Sequence, residues 1–389
     1  MAPGTNRHHA VCNVQHQMKH IRIHVFASLI MLSAGTLTLL SQCQAINENA
    51  DSSSNGKSAH HSQVLDAITE KQKGVHFFGR VDSNSNFRVL VRNNVEWVTL
   101  VPWGFQNDYD SPTVTHTNSE GERRAEYNAH WRKQIEMARA RGFKVFFKPH
   151  IWIMSPSDGK WRSHIFPPDD ESWEQWKSTY RDFILRYAKV AEQGKAELFC
   201  IGVEFSRLAV EKPDFWRELT QEVRDIFSGK ITYAANWYQE YEQVTFWDEL
   251  DYIGIQAYQP LAKNDHPTVE QISKGWSQYL PTMEAVYKKW NRKILFTEMG
   301  YKSTAGSAIK PWEWIEDSTA NQDYIPSSET QANCYEAFFN TIWKKEWFAG
   351  VHIWSFRSDY VDGNDDGYQN MDFTPLGKPA EKIIAKGFE

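Results

Sequence analysis

The sequence predicts an α/β fold, a single closed (β/α)8 barrel of the TIM type, and three observations carry that reading. Eight short apolar runs rich in β-branched and aromatic residues recur along the chain, and longer amphipathic stretches separate them. No glycine-rich phosphate turn follows an early run, so the open, doubly wound nucleotide-binding sheet lacks its signature. Near-continuous apolar strands are what a parallel sheet buried on both faces requires. Eight of them alternating with helices select the closed barrel.

The predicted strands are 74–78, 95–101, 143–148, 197–202, 231–235, 252–257, 293–297 and 350–355. The predicted helices are 128–141, 172–193, 214–227, 269–290 and 330–345. Gly142, Gly194 and Gly229 follow three of these, and glycine just past a helix end is the expected C-cap.

Ahead of the barrel lies a targeting segment, residues 1–43. Lys19, His20 and Arg22 precede an apolar run from Ile23 to Leu40, the charged and hydrophobic regions of a signal peptide. The residues before Met18 are polar, so Met18 is expected to be the true start. Leu40-Ser41-Gln42-Cys43 is similar to a bacterial lipobox, apart from Gln42 where a small residue is usual. That implies a lipid anchor on Cys43 and a location that is secreted or held at the cell envelope. Residues 44–65 are polar and read as a flexible linker, leaving 66–389 as the folded domain.

Composition narrows the partners. A net charge of −6 gives no electrostatic reason for nucleic acid binding. Only Cys200 and Cys334 fall in the body, so neither a disulfide framework nor a metal-ligand spacing is present. No cofactor and no metal are expected, and a monomer is. The acidic stretch 359–366 looks like a calcium loop but does not match EF-hand spacing; it reads as a solvated turn. The 17 Trp, 16 Tyr and 22 Phe supply core, and also rings of the kind that pack on the apolar face of a pyranose.

Barrel active sites form at the C-terminal ends of the strands. Those ends bring His76 and Arg80, Trp103, His150 and Trp152, Glu204, Asn236 and Trp237, Gln256 and Tyr258, Glu298, and Trp354. Such a rim suits a neutral polyhydroxylated ligand. The polar segment 106–126 is placed at the same face as a wall of the cleft. Glu204 and Glu298 each end an otherwise apolar strand, a position that costs burial energy unless the carboxylate is paired or used. Either glutamate alone is as readily a rim salt bridge as a catalyst. Two of them on a tryptophan-rich rim point to glycoside hydrolysis, which needs one carboxylic acid and one carboxylate.

The order Lys148-Pro-His-Ile151, Ile201-Gly-Val-Glu204, Thr297-Glu-Met-Gly-Tyr301 and Thr374-Pro-Leu-Gly-Lys-Pro-Ala380 resembles glycoside hydrolase family 113, in clan A. The resemblance runs from Gly74 onward. It implies a retaining β-1,4-mannanase acting on mannan, glucomannan or manno-oligosaccharides, with Glu204 as acid/base and Glu298 as nucleophile. It also implies that Tyr258 hydrogen-bonds the nucleophile and that Trp354 floors the sugar being cleaved. Val203 stands where many clan members carry Asn to bind the sugar 2-hydroxyl, so another residue must take that role, with Asn236 and His150 as candidates. Trp103, Trp152 and Trp237 are candidate subsite walls. The alternatives are the same chemistry on glucan, xylan or chitosan, and a surface glycan-binding barrel without catalysis. Peptide mapping of an early precursor is expected to begin at Met18; peptides from residues 1–17 would overturn that start.

Overall fold

The computed structural model describes residues 70–116, 121–315, 324–363 and 371–389. The targeting segment with Cys43 and the 44–65 linker lie outside the described residues.

Eight parallel strands close into a barrel, as expected. They are β1 (Gln72–Phe78), β2 (Trp97–Leu100), β5 (Lys144–Phe147), β7 (Leu198–Val203), β8 (Lys230–Asn236), β9 (Tyr252–Gln256), β10 (Ile294–Met299) and β11 (Phe348–Arg357). The outer faces pack on helices, the longest being Asp170–Gly194 and Gly121–Arg139. Most of the apolar core, including the fully buried Trp176, Trp216, Trp247 and Trp276, fills the layer between strands and helices.

Three local expectations are corrected. The predicted 269–290 helix is two, Val269–Ser277 and Leu280–Trp290. Pro281 lacks an N–H and is tolerated only in a first turn, so the chain restarts there. Gly194 is not a cap. It lies within its helix, where an added Cβ would come within 2.9 Å of Ile135, and Lys195 takes the left-handed cap conformation at φ 62°. The segment 106–126 is not a continuous loop. It contains strand β4 (Val114–His116), and the next helix begins at Gly121.

The largest departure concerns Trp103, His150 and Trp152, expected at the ends of barrel strands. They lie instead on β3 (Trp103–Gln106) and β6 (His150–Ile153), which form a small sheet with β4 in the order β4-β3-β6. Pro102 and Pro149 interrupt the two barrel strands at matching points, since proline cannot donate to the ladder. The pairing nevertheless resumes beyond them in the same register. Leu100 faces Phe147 before the break and Trp103 faces His150 after it, with the amide of His150 donating to Pro102 O at 2.9 Å. The paired strands thus run on past the barrel and carry their aromatic side chains with them.

Barrel closure depends on Gly350, at φ 138°, where a Cβ would meet the backbone of Gln72 at 2.4 Å. Gly350 pairs with Gln72 in the β1–β11 ladder. Gly350→Ala is expected to destabilise the protein by about 3 kcal/mol, because left-handed backbone strain adds to overpacking. Chemical denaturation checks this; a midpoint within error of wild type would refute it.

Candidate active site

Glu298 is the penultimate residue of β10 and points into a nest of donors. Its Oε2 accepts from Lys148 Nζ at 2.9 Å and Gln256 Nε2 at 3.0 Å, and its Oε1 accepts from Tyr258 OH at 2.5 Å. Lys148, at 0% exposure, spends its remaining hydrogens on Gln256 Oε1 at 2.8 Å and Thr297 O at 3.1 Å. His76 stands 3.7 Å from Glu298. Burial, helped by the Lys148 charge, holds the His76 imidazole well below the usual histidine range. It is therefore neutral, and Lys148 alone balances the carboxylate.

Glu204 follows the last residue of β7 and adopts φ 59°, a conformation uncommon outside glycine. Its neighbours hold it there. Glu204 N donates to Ala234 O and Phe205 N donates to the Tyr233 hydroxyl, both at 2.9 Å. The Tyr233 hydroxyl in turn donates to Glu240 at 2.5 Å. Glu240 also accepts from Ser206 Oγ, from Asn236 N and from Asn236 Nδ2, so all its capacity serves the scaffold. Burial raises its pKa, against those hydrogen bonds. Glu204 itself has one side-chain partner, Arg162 Nη2 at 2.6 Å on Oε2. Arg162 comes from a 3₁₀ turn, Arg162–His164, and also donates to Ile151 O at 3.3 Å.

The Tyr258 phenol caps Glu298 Oε1. Burial raises the Tyr258 hydroxyl far above its usual range, and the charges of Glu298 and then Glu204 add to the shift. The hydroxyl therefore stays a donor. Around this pair stands an aromatic collar. Trp354, whose peptide bond to Ser355 is cis, meets Phe78 edge-on at 4.5 Å and Trp314 at 6.0 Å. Trp237 stacks on Trp312 at 5.4 Å. Trp103 is edge-on to both His150 and Trp152. Trp103, Trp152 and Trp237 are each half-buried.

His150 is buried, and neither ring nitrogen has a hydrogen-bond partner. Burial and nearby cations keep it neutral. Asn236, the other candidate for a sugar hydroxyl, gives its amide hydrogens to Ser206 and Glu240. Arg80, expected on the rim, pairs with Asp82 at 3.6 Å on the surface. In the acidic stretch, Asp359 pairs with Arg357 and Asp362 with Arg92. Sequence reasoning assigned no role to Lys148, Gln256 or His76, although the first lies in a quoted motif and the others at strand ends. Arg162, Glu240, Trp312 and Trp314 lie outside the barrel strands and had no strand pattern to expose them.

Chemically, the site offers two unequal carboxylates beside a neutral, aromatic-walled opening. One is saturated with donors, and the other keeps an oxygen free. The model of glycoside hydrolase family 113 matches residues 71–378. The chain belongs to that family. It is an enzyme, a glycoside hydrolase on a (β/α)8 barrel. A solved family 113 β-1,4-mannanase in complex is 27% identical, with TM-score 0.67, covering 82% of this chain and 99% of that one. The family 113 β-mannanase AaManA from Alicyclobacillus acidocaldarius, in complex with ManMIm, is 26% identical with TM-score 0.66, covering 83% and 98%. A β-glucuronidase from Ruminococcus gnavus, 16% identical with TM-score 0.50, covers 78% of this chain and 45% of that one and shares the fold alone. No curated protein matches the chain.

Lys148→Met is expected to destabilise the enzyme by roughly 3–5 kcal/mol, the cost of leaving a buried charge without its partner. Thermal and chemical unfolding measure this, and a loss below 1 kcal/mol would show that Glu298 does not depend on the lysine.

Proposed function

We propose that this enzyme hydrolyses β-1,4-mannosidic linkages in mannan, glucomannan or manno-oligosaccharides by double displacement with retention. The observation that carries this reading is the inequality of the two glutamates, within a family whose solved neighbours are β-1,4-mannanases. Glu298 is the nucleophile. Lys148, Gln256 and Tyr258 hold both its oxygens by hydrogen bonds that suit an acceptor-only carboxylate. These contacts fix its attack line on the anomeric carbon. Glu204 is the acid/base. Its free oxygen meets the glycosidic oxygen, donates the proton as the C–O bond breaks, and later takes a proton from the water that releases the sugar from Glu298. Arg162 orients Glu204 and balances the carboxylate left after proton donation.

The sugar 2-hydroxyl falls to His150. A neutral imidazole offers one donor and one acceptor, and both buried His150 nitrogens lack protein partners. Asn236 has only its carbonyl oxygen to offer. Trp354 forms the floor under the cleaved sugar, and Trp103, Trp152 and Trp237 wall the neighbouring subsites.

Glu298→Ala and Glu204→Ala are each expected to lose at least about 10²–10⁴ in kcat, the range for removing one acid–base group, while remaining folded. With an activated aryl glycoside, whose leaving group departs without protonation, azide should restore turnover to both, giving the α-glycosyl azide with Glu298→Ala and the β-glycosyl azide with Glu204→Ala. Proton NMR of early wild-type products from manno-oligosaccharides should show the β-anomer first. An α-anomer would exclude retention, and equal release from glucan, xylan or chitosan would exclude the mannan preference.

A further inference from the structure

In the outer helical layer of the barrel, a cavity of about 450 Å³ opens between the Gly121–Arg139 and Asp170–Gly194 helices. Four cations line it, Arg124, Arg181, Arg186 and Lys189, against one acid, Asp182. Two of the cations are already committed. Arg124 pairs with Asp182 at 2.9 Å, and Arg181 pairs with Glu218 and Glu222 at 3.2 and 3.0 Å. Asp182 is itself shared with His116 at 3.3 Å.

Arg186 is the exception. It is 5% exposed, its Nε donates to Asn128 Oδ1 at 2.6 Å, and its Nη1 and Nη2 have no hydrogen-bond partner. The guanidinium lies over the rings of Tyr187 and Tyr127, at 5.3 and 6.0 Å, and the buried Tyr187 hydroxyl is also unpartnered. A buried charge without hydrogen-bonding acceptors is costly, and these orphaned groups are donors. Asp182 is taken by Arg124 and His116, so what the Arg186 Nη groups lack is a negatively charged acceptor of their own. A flat, forked guanidinium matches a carboxylate or phosphate bidentately, and Lys189, exposed at the same cavity, adds a second uncommitted cation.

We propose that this cavity is a binding site for a small oxyanion, held by Arg186 through its two Nη groups and by Lys189, and separate from the catalytic cleft. The shared chemistry is a phosphate or carboxylate group, either free in solution or borne on an acidic sugar.

The test titrates the full enzyme with inorganic phosphate and, separately, with sodium glucuronate, each against sodium chloride of equal ionic strength. Calorimetry and melting temperature are the readouts. At least one titrant is expected to bind saturably and raise the melting temperature beyond the chloride control. Phosphate acting alone identifies a free inorganic anion, and glucuronate acting alone identifies a sugar-borne carboxylate. Lys189→Met, at an exposed position, should weaken binding several-fold without changing the unliganded melting temperature or the rate of mannan hydrolysis. Arg186→Met should abolish binding, and if its folding is impaired the Lys189 variant decides the matter. No saturable binding of either titrant, or binding that Lys189→Met leaves unchanged, would overturn the proposal. Because neither residue lies in the cleft, failure here leaves the catalytic reading untouched.

Discussion

The buried contact between Lys148 and Glu298 is the constraint around which the barrel interior is arranged. A lysine ammonium with no exposure and a carboxylate almost as buried are stable only if each is met by the other and by further hydrogen bonds. Gln256 touches both, giving Nε2 to Glu298 and accepting from Lys148. Thr297 supplies its carbonyl to the lysine and its hydroxyl to Gln256. The polar column continues deeper, where His352 contacts Thr99 at 2.7 Å and Gln72 at 2.9 Å. Gly74 is small because the His352 ring occupies the space its Cβ would need. The inside of the barrel therefore carries a hydrogen-bonded column, flanked by the rings of Trp97 and Phe146 on His352, while most of the apolar packing lies in the strand–helix layer.

That division explains how one scaffold supports two carboxylates of different character. Glu298 is anchored from within the barrel by Lys148, just past β5, and by Gln256 and Tyr258 at the end of β9. Glu204 is anchored from outside, through the backbone bonds that lead to Tyr233 and Glu240 and through Arg162 on the 3₁₀ turn. The interior side is fully satisfied, while the loop side has a single partner. Preorganised donors around one group and an open oxygen on the other suit the two-step displacement proposed for this enzyme.

Much of this was legible in the strand ends. Glu204, Asn236, Tyr258, Glu298 and Trp354 follow from counting apolar runs and applying the rule that barrel sites form where strands end. Lys148 carried a signal that strand counting does not use, a lysine closing an otherwise apolar run. The extension of β2 and β5 into β3 and β6 was hidden because proline usually ends a strand, whereas here the two breaks coincide and the ladder survives both. Arg162, Trp312 and Trp314 come from irregular segments, whose positions are set by what they pack against. The paired orphan donors at Arg186 and Tyr187 could be found only once burial and partners were known.

The sequence by itself determined the eight-stranded barrel and the two glutamates at strand ends, because hydrophobic periodicity is a local property that needs no partner to be read. Tertiary structure decided which groups serve those glutamates. Lys148 meets Glu298 across 150 positions of chain, and Arg162 meets Glu204 across 42. Contacts of that separation depend on the closure of the sheet and the path of the loops, and neither is written in any short stretch of residues.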